Sequence, residues 1–189
     1  GIRNFNCRIG ITARLCLNEK EQKRYEKELT VFINYFLKKD LSSAVYFLPQ
    51  VVYSGRGDDD TVVARRICNS VDKEHRERCF SIENDFSPQD LRETISDCDY
   101  FIGTRMHSNI FALTSYVKTI AIAYEYKTTG IMEMLGLEKF CTKAENLKSD
   151  FLIKSLQSLD EDINYRINLK NRIEQMKNNT WDFNFPNNL

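Results

Sequence analysis

This chain is poor in the features that mark most specialised protein classes. It has only two histidines, and none of its six cysteines form a C-x-x-C pair, which argues against a structural zinc site. Lys plus Arg and Asp plus Glu stand at 27 each, so the basic excess of a general nucleic-acid binder is missing. No apolar run approaches the length of a membrane span. The opening GIRNFNCRIG has no signal-peptide apolar core. There is no G-x-G-x-x-G and no Walker A motif, so dinucleotide binding and P-loop hydrolysis lack support. No Ser or Cys sits in a nucleophile elbow. With three prolines and seven glycines, and no repeat or low-complexity linker, nothing breaks the chain into modules.

What remains is an ordinary globular composition, 42% apolar and 29% charged over 189 residues, enough for one domain with a real core. Residues 1–177 read as that domain and 178–189 as an Asn-rich tail, in which Trp181, Phe183 and Phe185 could dock on a surface. Cys7, Cys16, Cys68, Cys79, Cys98 and Cys141 read as reduced thiols, several of them small core residues, in a cytoplasmic protein.

Strands and helices alternate. Arg8–Thr12, Ala44–Leu48, Cys79–Ile82, Tyr100–Ile102, Thr119–Ala123 and Lys139–Thr142 read as short apolar strands. Glu19–Lys39 reads as a long helix, because Tyr25, Leu29, Phe32, Ile33, Phe36 and Leu37 recur at three- and four-residue steps. Further helices are expected near Thr61–Asn69, Pro88–Ile95 (with Ser87 as N-cap), Arg105–Tyr116, Gly130–Leu135, Glu145–Leu156 and Asp160–Lys177. The pattern predicts an α/β fold, a Rossmann-like three-layer sandwich on a six-stranded parallel sheet in the order 3-2-1-4-5-6. In that order the crevice lies at the carboxyl ends of strands one and four.

The most informative stretch falls there. Strand Tyr100–Ile102 runs into Gly103 and Thr104, then Arg105, Met106 and His107 open a helix. The first N–H groups of that helix have no intrahelical acceptors and carry the positive end of its dipole, which suits phosphate or carboxylate. Arg105 can fork two donors onto an anion, and His107 can donate, accept or transfer a proton. A plainer reading pairs Arg105 with a nearby Asp. Arg14 after strand one, Gln50 after strand two and Lys127 after strand five share the same rim. Asp58, Asp59 and Asp60 read as a helix cap rather than a metal site. His75, in the charged run DKEHRER, is expected to be exposed and inert.

Strand, Gly-Thr, Arg105-Met106-His107, an apolar helix, TIAIAY, a lysine and an LGL ending resemble the carboxyl-terminal part of polysaccharide pyruvyl transferases. That family shows I-G-x-R-L-H, a helix, I-x-Y-x-x-K and L-G-L. FLPQ at Phe47–Gln50 and the run Asp58–Asp60 are similar to it as well. Met106 stands where the family commonly has Leu. The resemblance implies half of a two-domain glycosyltransferase-B-like enzyme, without metal or cofactor. Such enzymes move the enolpyruvyl unit of phosphoenolpyruvate onto two sugar hydroxyls as a cyclic ketal in cell-surface polysaccharide. His107 and Arg105 would be the catalytic pair, and Thr104, Arg14, Lys127 and Gln50 would bind substrate. The acceptor would be a sugar or lipid-linked oligosaccharide. An N-terminal domain of the same protein would complete the site, and this chain alone would turn over poorly. A nucleotide-sugar-dependent glycosyltransferase half, with Glu125 or Glu133 on the ribose, and a non-catalytic interaction domain remain open alternatives.

Overall fold

The computed structural model describes residues 5–15, 17–52 and 59–181. Cys16, most of the loop Tyr53–Asp60, and Phe183 and Phe185 lie outside those residues. The elements are β1 (Cys7–Thr12), α1 (Glu19–Lys39), β2 (Ser43–Phe47), α2 (Asp60–Ser70), β3 (Cys79–Ser81), α3 (Pro88–Ser96) and β4 (Tyr100–Gly103). They continue with α4 (Met106–Thr114), β5 (Lys118–Ala123), α5 (Tyr126–Met134), β6 (Cys141–Lys143), α6 (Ser149–Glu161) and α7 (Tyr165–Trp181).

The six strands form one sheet in the order β3-β2-β1-β4-β5-β6, and every neighbouring pair is parallel. The expected order is borne out. Successive side chains of a strand face opposite sides of the sheet. Ile9 and Ile11 of β1, Val45 and Phe47 of β2, and Tyr100 and Ile102 of β4 enter the larger core cluster, with residues of α1, α2 and α6. Ala44, Tyr46 and Phe101 enter the smaller one, with Leu91 and Ile95 of α3 and Ala112 of α4. Gly10 lies on the side of the smaller cluster, where an added Cβ would stand 3.0 Å from both Cys98 Sγ and Phe101. The result is the three-layer sandwich that alternation of strands and helices implies.

Helix α1 shows how the sequence sets these layers. All six of its periodic apolar side chains are buried, and a fully buried side chain of that size contributes about 1.5–3 kcal/mol. The Asn18 side chain accepts from Glu21 N at 3.1 Å and so caps the start. Lys38 and Lys39 lie in the last turn, where the helix dipole favours positive charge.

Several boundaries differ from the sequence reading. Helix α5 begins at Tyr126 rather than near Gly130, and Gly130 sits inside it with open space where a Cβ would stand. Burial of Thr128 and Met132 outweighs the poor helix propensity of that glycine. Helix α6 begins at Ser149 because Ala144–Asn146 form a separate 3-10 turn. Helix α7 runs on through residues expected in the tail, to Trp181.

His75 corrects the expectation of exposure, being only 6% exposed. The cause is Arg78, whose guanidinium donates to the carbonyls of Leu37, Asp40 and Ser43. Those bonds draw the turn Arg76–Arg78 under the end of α1 and bring Arg78 Nη2 to 3.3 Å from His75 Nδ1.

Candidate active site

Strands β1 and β4 are neighbours, with Thr12 paired to Gly103, and Gly103 in turn paired to Ala121 of β5. The connections leave β1 and β4 in opposite directions, which opens a crevice at their carboxyl ends. Thr12 stitches the crevice floor. Its hydroxyl oxygen accepts from Thr104 N at 3.1 Å and from Arg105 N at 3.4 Å. Ser108 Oγ lies 3.0 Å from the same hydroxyl and donates its proton to Arg105 O at 2.8 Å. Thr12 must therefore donate to Ser108, and its donor and acceptor capacity is used. Gly103 is needed here because a Cβ would lie 2.0 Å from Asn109 Oδ1, while Asn109 Nδ2 donates to Gly103 O.

Arg105 is the N-cap residue of α4, in extended conformation, and makes no side-chain cap bond. Its guanidinium turns inward onto Asp60, the first residue of α2. Nη2 donates to Oδ1 at 2.7 Å and Nε lies 3.2 Å from each carboxylate oxygen. Asp60 also accepts from the backbone N–H of Gln50 at 3.0 Å and of Val51 at 3.1 Å. Burial pushes the Asp60 carboxyl above its ordinary value, and Arg105 and the two amides oppose that shift. The plain reading of Arg105, a pairing with a nearby Asp, is the one this geometry adopts. Asp59 is the N-cap of α2, accepting from Thr61 N, as the acidic run suggested.

Gln50 connects this pair to His107. Its Oε1 accepts from Ser108 N at 3.2 Å, and its Nε2 stands 3.4 Å from His107 Nδ1. The imidazole is exposed at the helix start. The N–H groups of Met106 and His107 point out of the first turn of α4 without intrahelical acceptors. Helix α5 opens on the same rim, since β4 and β5 are parallel neighbours, and its N-cap Glu125 makes no side-chain cap bond.

The structure thus brings Arg105, His107 and Gln50 together. Thr104 is beside them but faces inward, 0% exposed, with its hydroxyl 2.7 Å from the Tyr25 hydroxyl. Its role there is to hold the turn in place rather than to present a hydroxyl to ligand. Arg14 stacks on Tyr124, its guanidinium carbon 4.1 Å from the ring centroid. That contact spans from the end of β1 to the end of β5, across β4. Burial pushes the Tyr124 phenol up, a hydrogen bond to Glu125 adds to this, and the charges of Arg14 and Arg105 pull it down. Lys127 is exposed on the first turn of α5. Beyond Tyr124 lies an open cleft of about 490 Å³, lined by Glu125, Thr129, Glu133, Lys143 and Glu145 among others. Among the described residues, no group of His, Cys, Asp and Glu could hold a metal ion.

Sequence reading gave no role to Thr12, Ser108 or Tyr124, and it did not single out Asp60 as the partner of Arg105. Asp60 was visible only as one of three identical neighbours, and its partner lies 45 residues away.

A family model for polysaccharide pyruvyl transferase matches residues 13–126, which spans the crevice from the end of β1 to the start of α5. The chain belongs to the polysaccharide pyruvyl transferase family. It is 24% identical over 155 residues to the amylovoran biosynthesis protein AmsJ of Erwinia amylovora, covering 82% of this chain and 34% of that protein. This chain therefore spans about a third of that relative. Its fold resembles a putative UDP-N-acetylglucosamine 2-epimerase from Listeria monocytogenes (TM-score 0.61, 13% identity, 87% of this chain and 39% of that one). It also resembles an O-GlcNAc transferase mutant from Thermobaculum terrenum (TM-score 0.60, 13% identity, 92% and 32%). The likeness is of fold alone, and it bears out the expected α/β, Rossmann-like sandwich on a six-stranded parallel sheet. Among the described residues, no helix is long and apolar enough to cross a membrane.

Proposed function

We propose that this pyruvyl transferase chain is the donor-binding part of an enzyme that moves a pyruvyl group from phosphoenolpyruvate to a sugar as a cyclic ketal. The observation that carries this reading is that the starts of α4 and α5, whose N-cap residues make no side-chain cap bond, open on one rim that also bears His107, Arg14 and Lys127. Phosphoenolpyruvate has a phosphate and a carboxylate close together, and two orphan N–H sets with cations beside them suit such a ligand. Arg14 and Lys127 supply the charge that meets the anion. Arg105, paired to Asp60, sets the shape of the α4 turn and adds to the local potential. His107 touches the donor.

In the reaction a proton adds to the methylene carbon, and one sugar hydroxyl attacks the cationic carbon. The carbon–oxygen bond to phosphate then breaks, and a second hydroxyl closes the ketal. Of the two hydroxyl protons, one balances the new methyl group and the other leaves with phosphate. Fixed positive charge favours the departing phosphate. The acceptor, a sugar or lipid-linked oligosaccharide, would contact groups of an N-terminal domain of the same protein, in a cytoplasmic setting. On this reading the chain alone would bind donor weakly and turn over slowly.

The cleft that carries Glu125 and Glu133 favours a second reading, a nucleotide-sugar donor whose ribose hydroxyls meet those carboxylates. Thermal melting with phosphoenolpyruvate, UDP and GDP separates the two. Stabilisation by phosphoenolpyruvate with none by the nucleotides supports pyruvyl transfer, and the reverse pattern overturns it.

A further inference from the structure

We infer that Gln50 is a positioning residue that holds His107 as its Nε2–H tautomer, so that the ring offers a ligand a proton donor rather than a lone pair. The argument begins at the backbone. The N–H of Ser108, third residue of α4, donates to the Gln50 side chain at 3.2 Å. An amide NH2 cannot accept that bond, so the atom facing Ser108 is Oε1 and the orientation of the amide is fixed. The other end, Nε2, then lies 3.4 Å from His107 Nδ1. Nε2 carries two protons and only donates, so Nδ1 must present its lone pair. In a neutral imidazole the proton then sits on Nε2. A proton on Nδ1 would set two donors face to face.

Gln50 is itself anchored. Asp60 accepts from the N–H of both Gln50 and Val51, and Arg105 clamps Asp60 from the other side. Arg105 thereby acts on His107 through Asp60 and Gln50. That the donated proton meets an oxygen of phosphoenolpyruvate rests on the donor reading above, whereas the tautomer rests on geometry alone.

The test is a long-range proton–nitrogen correlation spectrum of the 15N-labelled chain at about pH 8.5, well above the ordinary imidazole range. With two histidines in the chain, His107→Gln assigns the signals. The wild type should show Nε2 protonated. Free imidazole leans the same way, so the decisive variant is Gln50→Glu. One carboxylate oxygen still accepts from Ser108 N, the other faces Nδ1, and the proton moves to Nδ1. Unchanged His75 signals report an intact fold. Should Gln50→Glu not fold, Gln50→Ala removes the donor, and the Nδ1 signal moves towards that of free imidazole. A wild-type proton on Nδ1, or a Nδ1 signal indifferent to these substitutions, overturns the inference. Added phosphoenolpyruvate should shift the Nε2 signal. No shift sinks the donor reading and leaves the tautomer assignment standing.

Discussion

The Arg105 guanidinium lies on the Asp60 carboxylate with Nη2 and Oδ1 2.7 Å apart, and the two side chains are 9% and 2% exposed. A buried pair of this kind contributes little net stability against a well-packed apolar replacement, yet removing one partner strands the other charge away from water. Asp60→Ala should therefore cost about 3–5 kcal/mol, read as a lower urea midpoint with an unchanged slope. The double variant Asp60→Leu with Arg105→Met should recover much of that loss. Equal losses in single and double variants would contradict the pairing.

Gly103 and Gly130 make opposite predictions. An alanine at 103 drives its methyl into Asn109, so Gly103→Ala should destabilise by about 1–3 kcal/mol. A Cβ added at Gly130, inside α5, would meet nothing within 4 Å, so Gly130→Ala should stabilise by about 0.5–1 kcal/mol. Thermal midpoints that shift in the same direction would contradict the packing described.

Glu28 gives a pH-dependent prediction. Its carboxylate accepts from Ser149 N at 2.7 Å at the start of α6, and that bond holds it below its ordinary value. A carboxyl lowered on folding stabilises above its unfolded value, near 4.3, and loses that contribution as pH falls through the folded value. Glu28→Gln should lower stability at neutral pH by about 0.3–1 kcal/mol, the range for a charge at an exposed helix start. The difference from wild type should vanish in acid. Urea midpoints at neutral and acid pH check this, and a difference that persists in acid would contradict it.

Arg14→Ala removes a guanidinium from the rim and its stack on Tyr124. A charge-assisted hydrogen bond contributes about 1.5–3 kcal/mol, so phosphoenolpyruvate affinity should fall by roughly ten- to a hundredfold. Lys127→Ala should weaken it less, because an exposed ammonium is screened by water and salt. Calorimetric titration reads both, and an unchanged affinity in Arg14→Ala would remove that residue from the site.

Much of the frame was legible in the sequence because each strand is a short apolar run and each amphipathic helix repeats at its own period. Alternation forces parallel pairing, and the order β3-β2-β1-β4-β5-β6 then places the turn Gly103–His107 at the crevice. What the sequence hid depends on partners far along the chain. His75 is buried through bonds from Arg78 to carbonyls near the end of α1, and no local pattern announces those bonds. Thr12 looked like the end of a strand, although its hydroxyl joins β1 to the α4 turn. Arg105 was legible as a cation at the right place, but the direction of its side chain was decided by Asp60. The start of α5 lies four residues before the expected Gly130, because burial of Thr128 and Met132 carries the helix through that glycine.

The central claim is an anion site framed by the first turns of α4 and α5. An amide chemical-shift titration of the 15N-labelled chain with phosphoenolpyruvate addresses it directly. The account predicts that the N–H signals of Met106, His107, Tyr126 and Lys127 move together and saturate, while UDP leaves them in place. Signals that stay fixed with phosphoenolpyruvate, or that move only with the nucleotide, would contradict it.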